Sequence, residues 1–264
     1  MIISFLKTYK HQDLSNFPMC KHNTKPSCTS VLNMFSFSAF ISHKMASISL
    51  LVLTFSSLIV HSTFYRVSAW GHFNPTQGFV PLPLNSSNLI IQKPYNVQVD
   101  QRSSFKNGYY KLWVFSTDKP HSLTSKTNPR TEIGIRGYNY SSGVWQFEAY
   151  GYVPNGTSGV CIMQIFGASP HATTLMLRVY NGSLSYYREA VIVPNICNRW
   201  FKLNVIHDVD KSKVKVFING ILKYVAPGRG GTSHSFKFGV YAQDDASYYM
   251  ESRWKNIKIL KKCY

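Results

Sequence analysis

Lys213-Val-Lys-Val-Phe-Ile218, followed by Asn219-Gly220 and then Ile221-Leu-Lys-Tyr224, is the stretch on which the fold turns. Side chains of an extended chain point alternately to its two faces, so Val214, Val216 and Ile218 share one face while Lys213 and Lys215 take the other. Asn-Gly between two such runs is what a two-residue hairpin asks for, because both of its positions take positive φ. The same arrangement recurs at Leu175-Met-Leu-Arg-Val-Tyr180, Asn181-Gly182 and Ser183-Leu-Ser-Tyr-Tyr187. Trp145-Gln-Phe-Glu-Ala-Tyr-Gly-Tyr-Val153 sets Trp145, Phe147 and Ala149 against Gln146, Glu148 and Tyr150. Trp200-Phe-Lys-Leu-Asn-Val-Ile206 and Ser252-Arg-Trp-Lys-Asn-Ile-Lys-Ile-Leu260 read the same way. No segment after Trp70 holds a helical period over three turns. Short strands parted by Pro, Gly, Asn and Ser clusters predict an all-β fold, a two-sheet β-sandwich of the jelly-roll kind. Residues 96–264 are assigned to that domain. Residues 70–95, with Pro75, Pro81, Pro83 and Pro94, are expected to form an extended lead-in.

The composition agrees. Of 264 residues, 44% are hydrophobic and 15% charged, which supports a core and excludes disorder by composition. The formal net charge is +18. Of the 29 Lys and Arg, 23 lie from Trp70 onward, together with 10 of the 11 acidic residues, so the charge belongs to the folded part. That balance favours an anionic partner: nucleic acid, a membrane surface, an acidic polysaccharide or a small polycarboxylate. The basic residues form no long block, which argues against a nucleic-acid arm. No apolar run is long enough to span a membrane.

Before Trp70 the pattern changes. Residues 1–44 carry no core pattern and are read as an upstream extension. Met45 opens a segment whose run from Ile48 to Val60 has the length of a signal-peptide core, and Val67-Ser68-Ala69 offers small residues for cleavage before Trp70. Residues 45–69 are therefore read as a signal peptide, and the expected destination is secreted, in the cell wall, or vacuolar. Four acceptor triplets, at Asn85, Asn139, Asn155 and Asn181, fit that route as glycosylation sites; Asn181 also suits a hairpin turn. Cys161, Cys197 and Cys263 allow one internal disulfide among themselves at most. No Cys/His cluster has metal-ligand spacing, so no metal and no cofactor are expected. The expected state is a monomer.

Three short runs place polar groups together. In Arg130-Thr-Glu-Ile-Gly-Ile-Arg136, alternation projects Arg130, Glu132 and Arg136 to one face and Ile133 and Ile135 to the core. Two guanidiniums flanking a carboxylate suit bidentate capture of another carboxylate; a cross-strand salt-bridge ladder would use the same residues. In Ser235-Phe-Lys-Phe-Gly-Val-Tyr-Ala-Gln243, Lys237, Gly239, Tyr241 and Gln243 share a face, and Gly239 leaves room for a ligand to approach the backbone. In Met163-Gln-Ile-Phe166, Gln164 stands alone in an apolar run, as a structural amide or a ligand donor.

These runs resemble the three signature strands of alginate lyase-type polysaccharide lyases, which are β-jelly rolls with a concave basic groove. Residues 80–262 as a whole resemble the plant citrate-binding protein family, which carries this lyase-like domain; Ser141-Ser-Gly-Val-Trp-Gln-Phe147 and Pro227-Gly-Arg-Gly-Gly-Thr-Ser-His234 strengthen the match. The resemblance implies that Arg130 and Gln164 neutralise a uronate carboxylate. It gives Tyr241 the role of proton abstractor and donor, with Lys237 and Gln243 beside it. Three departures stand out: Phe166 where the lyases have His, Gly134 where they have a second Arg, and Ser235 where they have Tyr. β-Elimination needs a neutralised carboxylate, a base and an acid. A phenol is a weak acid, so Tyr241 needs cationic neighbours to act as a base, and the lost imidazole removes a group worth about 10²–10⁴-fold in rate. His121 stands in from a neighbouring strand on one reading and is an exposed loop residue on the other. His207, before Asp208-Val-Asp210, is expected in a surface turn, and His234 has the parity opposite to Tyr241.

The function expected is binding of a citrate-like polycarboxylate or acidic carbohydrate by Arg130, Glu132, Arg136, Gln164, Lys237, Tyr241 and Gln243. The alternative is a working polyuronate lyase with Tyr241, Gln164, Arg130 and His121 as its catalytic set. Nucleic acid is set aside, since no RNA-stacking motif is present and the secretory signal conflicts with it.

Overall fold

The computed structural model describes residues 74–263. The expected upstream extension and signal peptide lie outside the described residues. The strands are β1 (Phe79–Pro81), β2 (Leu89–Gln92), β3 (Ser103–Lys106), β4 (Tyr109–Phe115), β5 (Arg130–Ile135), β6 (Val144–Tyr152), β7 (Val160–Phe166), β8 (Thr173–Tyr180), β9 (Ser183–Tyr186), β10 (Val191–Val193), β11 (Phe201–Asp208), β12 (Lys213–Ile218), β13 (Ile221–Pro227), β14 (Ser235–Ala242) and β15 (Tyr249–Lys262). They make two antiparallel sheets. One has the order β13-β12-β11-β6-β15-β4-β3 with β1 added along β15; the other runs β10-β9-β8-β7-β14-β5-β2.

The hairpins form where the Asn-Gly pairs stand. Asn181 and Gly182 have φ of 47° and 77°, and Asn219 and Gly220 have 52° and 79°. A third pair, Asn107-Gly108, turns β3 into β4 in the same way. Alternation then sorts the strands: Val214, Val216 and Ile218 are core while Lys213 and Lys215 are exposed, and Trp145, Phe147 and Ala149 point inward from β6.

The core lies between the sheets and is aromatic at its centre. Phe147 and Trp254 of one sheet meet Phe236 and Phe238 of the other at ring distances of 5.5 to 6.0 Å. All four rings are buried, and large aromatics bury the most apolar area per residue. A polar link crosses this core: the Trp254 indole donates to Ser252 Oγ (2.8 Å), which donates to the Gly239 carbonyl (2.8 Å).

The lead-in contains two short strands, one for each sheet: β1 pairs β15 and β2 pairs β5. Proline suits such edge positions, where an amide is not needed by the ladder. His207 is not in a surface turn. It is the last inward residue of β11 after Phe201, Leu203 and Val205, and is buried at 2% exposure. Its Nδ1 lies 3.1 Å from the Tyr140 hydroxyl, and its ring meets that of His234 at 4.7 Å. His234 points inward too, with Nδ1 2.7 Å from the Gly167 carbonyl.

Candidate functional site

β7, β14 and β5 are neighbours in the seven-stranded sheet, and their register builds the site. Lys237 lies opposite Gln164 on one side and Gly134 on the other. Gly239 faces Glu132, and Tyr241 lies between Arg130 and Cys161. The inward residues of the same strands, such as Ile133, Ile165, Phe236 and Phe238, fill the core, so these polar groups share the outer face.

They form one connected network. Arg130 Nη1 donates to Glu132 Oε2 at 3.2 Å, and its Nη2 donates to Thr127 Oγ1 at 2.9 Å. The Arg130 guanidinium also lies 3.7 Å from the centre of the Tyr241 ring, a close cation–π contact. The other Glu132 oxygen accepts from Gln164 Nε2 at 2.6 Å. Lys237 Nζ donates to Gln92 Oε1 at 3.0 Å and sits 4.3 Å over the Phe166 ring. Phe166 therefore carries the lysine and exchanges no proton.

Burial sets the charge behaviour. Glu132 is fully buried, and desolvation raises its pKa above the ordinary carboxylate value against the pull of Arg130, Lys237 and Gln164. Desolvation also lowers the Lys237 ammonium, with Glu132 opposing and Arg130 assisting. Cys161 is a buried free thiol whose pKa is pushed far up, first by burial and then by Glu132, so it is no nucleophile.

His121 is half-buried and close enough to Arg130 and Lys237 to feel both charges. Burial first, then those two cations, lower its pKa, which favours the neutral imidazole over the charged one. Arg136 lies just past β5, exposed, and lines a depression of about 210 Å³ with Gln92, Gly134, Asn139, Ser235 and Lys237. Gln243 follows β14, and its amide nitrogen is committed to the Tyr241 and Ala242 carbonyls, at 3.2 and 2.9 Å. Gly239 does not open space for a ligand. Its φ is +140°, and a Cβ there would meet the Thr131 carbonyl at 2.4 Å, so glycine is required by the close approach of β5. Asn85, Asn139, Asn155 and Asn181 are all exposed.

The network extends to residues that the sequence reading left aside. Arg178 on β8 pairs with Cys161 across the strands, and so continues the Arg130–Tyr241–Cys161 row. The Arg178 and Arg229 guanidiniums both lie 5.2 Å from the Tyr187 ring centre. Arg229 Nη1 donates to the Tyr187 hydroxyl at 2.8 Å, and that hydroxyl shares a 2.8 Å hydrogen bond with Thr173 Oγ1. The signal for Arg178 was present: in the β8 run, Leu175, Leu177 and Val179 are core, which sends Arg178 outward. Arg229 sits in the loop before β14, where alternation gives no guide. Among the described residues, no group of three or more His, Cys, Asp or Glu could hold a metal ion.

These features define a jelly-roll protein with a basic, hydrogen-bonded groove across the outer face of one sheet. The chain belongs to the alginate lyase family, whose sequence model matches residues 82–261. It is 53% identical over 206 residues to the citrate-binding protein of Hevea brasiliensis, a match covering 78% of this chain and 87% of that protein. Among solved structures it resembles alginate lyase AlgAT5 from polysaccharide lyase family 7 (TM-score 0.50, 18% identity, 70% of this chain and 94% of that one). It also resembles the alginate lyase from Corynebacterium sp. (TM-score 0.51, 16% identity, 70% and 96%). At those identities the structural likeness shows the fold.

Proposed function

We propose that this chain binds a citrate-like polycarboxylate or an acidic carbohydrate in the groove built on β5, β7, β8 and β14. One observation carries the reading: Arg130, Lys237, Arg178 and Arg229 line the same outer face, and the carboxylate among them, Glu132, is fully buried and has its pKa raised. A ligand carboxylate then meets an excess of cations held in place by Tyr241, Tyr187, Phe166 and Gln92. Charge-assisted hydrogen bonds of this kind are the strong ones. The name of the Hevea brasiliensis relative supports a citrate-like ligand, and the exposed Phe166 in place of the lyase imidazole supports binding over turnover. The protein is proposed to act outside the cell or in the vacuole.

A lyase reading has one observation of its own. His121 stands near Arg130 and Lys237, and burial and those cations lower its pKa, which favours the form that can accept a proton.

Calorimetry with citrate and with uronate oligosaccharides tests binding. Arg178→Ala leaves the Arg130–Glu132 pair intact and is expected to lower carboxylate affinity about tenfold, the effect of losing one charge-assisted bond. Unchanged affinity would remove Arg178 from the site. Incubation with alginate and polygalacturonate, followed by the ultraviolet absorbance of unsaturated uronate ends, separates the two readings. A steady rise that disappears in His121→Ala would establish the lyase.

A further inference from the structure

The outer face of the eight-stranded sheet, on the far side of the core from the groove, carries a cluster of its own. Trp200 leads into β11, Tyr152 closes β6 and Tyr109 opens β4. Their side chains converge: Trp200 lies 5.9 Å from Tyr109 and 5.6 Å from Tyr152 between ring centres. Two β15 cations frame the rings. Lys255 Nζ is 4.3 Å from the Trp200 ring centre, and the Arg253 guanidinium is 4.9 Å from Tyr152 and 5.9 Å from Tyr109. All five side chains are half-exposed.

The surrounding charge is unbalanced. Lys111, Lys202, Arg253, Lys255 and Lys258 share the face with Glu148 and Glu251. Glu148 is bridged by Lys202 at 3.0 Å and Lys258 at 3.2 Å, and Glu251 by Lys111 at 3.0 Å and Arg253 at 2.6 Å. Each carboxylate is thus answered twice, and Lys255 has no carboxylate partner among the described residues.

We propose that this face is a second polyanion site, separate from the groove, and that it takes a chain of uronate sugars. A uronate unit presents an apolar C–H face and a carboxylate. The ring cluster answers the first, and Lys255 with Arg253 answers the second. Single-stranded nucleic acid also combines flat rings with negative charge. Here, however, Trp200 meets Tyr109 at 69° and Tyr152 at 50°, so the indole has neither tyrosine parallel to it for a base to stack between. With the groove on one sheet and this cluster on the other, one molecule holds two polymer segments at once.

The test uses the full chain and immobilised polygalacturonate at low ionic strength, with citrate calorimetry in parallel. Lys255→Glu and Trp200→Ala are each expected to weaken polymer binding by about fivefold or more, the effect of losing roughly 1 kcal/mol, and to leave citrate binding unchanged. Lys255→Glu keeps the ring cluster, so it guards against a folding defect in Trp200→Ala. Polymer binding equal to wild type in both variants would overturn the proposal. So would its complete loss in the groove variant Lys237→Ala, or tighter binding to a single-stranded polynucleotide than to polygalacturonate. Loss of citrate binding in Lys237→Ala with retained polymer binding would support it, and absence of citrate binding in every variant would bear only on the groove.

Discussion

Both sheets set glutamates among cations on their outer faces, and the two settings push those carboxyls in opposite directions. In the groove, Glu132 has one arginine and one amide for partners, and burial prevails: its pKa rises. On the other sheet, burial also works to raise Glu148, but Lys202, Asn204 and Lys258 together hold it below the ordinary value. Glu251 behaves alike, with burial opposed by Tyr249, Arg253 and Lys111. The lesson is one of partner number and water. A carboxylate with two half-exposed cations settles as a charge and stiffens a surface. A dry one bonded to a single cation, with a second only nearby, leaves the surrounding positive charge to act on whatever arrives.

Deleting one cation from each face should break the symmetry most plainly. Arg130→Ala strands Glu132 in a dry site, and chemical denaturation should show a loss of about 3–5 kcal/mol. Adding Glu132→Gln should recover much of it. A single variant as stable as wild type would show that Glu132 is already neutral and needs no partner.

The next effect concerns acid. Burial, then His234, lowers His207 from 6.5 to about 4. The folded state refuses a proton that the unfolded state accepts, so stability is complete above pH 6.5, declines as the pH falls, and levels off below about 4. The loss amounts to about 3 kcal/mol. Melting temperatures across this window should fall in wild type and fall less in His207→Gln. Parallel profiles would place the acid sensitivity on the surface carboxylates instead.

The smallest change is expected at Lys258→Ala. Its side chain is 53% exposed, and Lys202 still holds Glu148. Denaturation should register less than about 1 kcal/mol. A loss matching that of Arg130→Ala would erase the contrast between the faces.

Much of this could be read from alternation. Period two sent Arg130 and Glu132 outward from Ile133, and Lys237 and Tyr241 outward from Phe238, so the middle of the groove was legible before any register was known. What escaped has physical reasons. Arg178 enters the row through irregular pairing of β7, which shifts register against both β8 and β14 near Cys161 and Met163. Arg229 arrives on a loop, with no period to aim it. Gly239 read as an opening because a missing side chain looks the same whether a ligand or a neighbouring strand fills the place. His207 was within reach: one more step beyond Phe201, Leu203 and Val205 puts it inside, but the turn-like Asp208-Val-Asp210 that follows hid the step. The lead-in concealed β1 and β2 because edge strands of three and four residues among prolines carry almost no pattern.

The bond from Gly239 through Ser252 to the Trp254 indole works as a strut between the groove floor and the opposite wall. The strand that carries Tyr241 is thereby hydrogen-bonded, through one hydroxyl, to an indole shielded from solvent. The protein thus holds an internal fluorophore wired to its own groove, and the emission of Trp254 would register an occupant that never touches it.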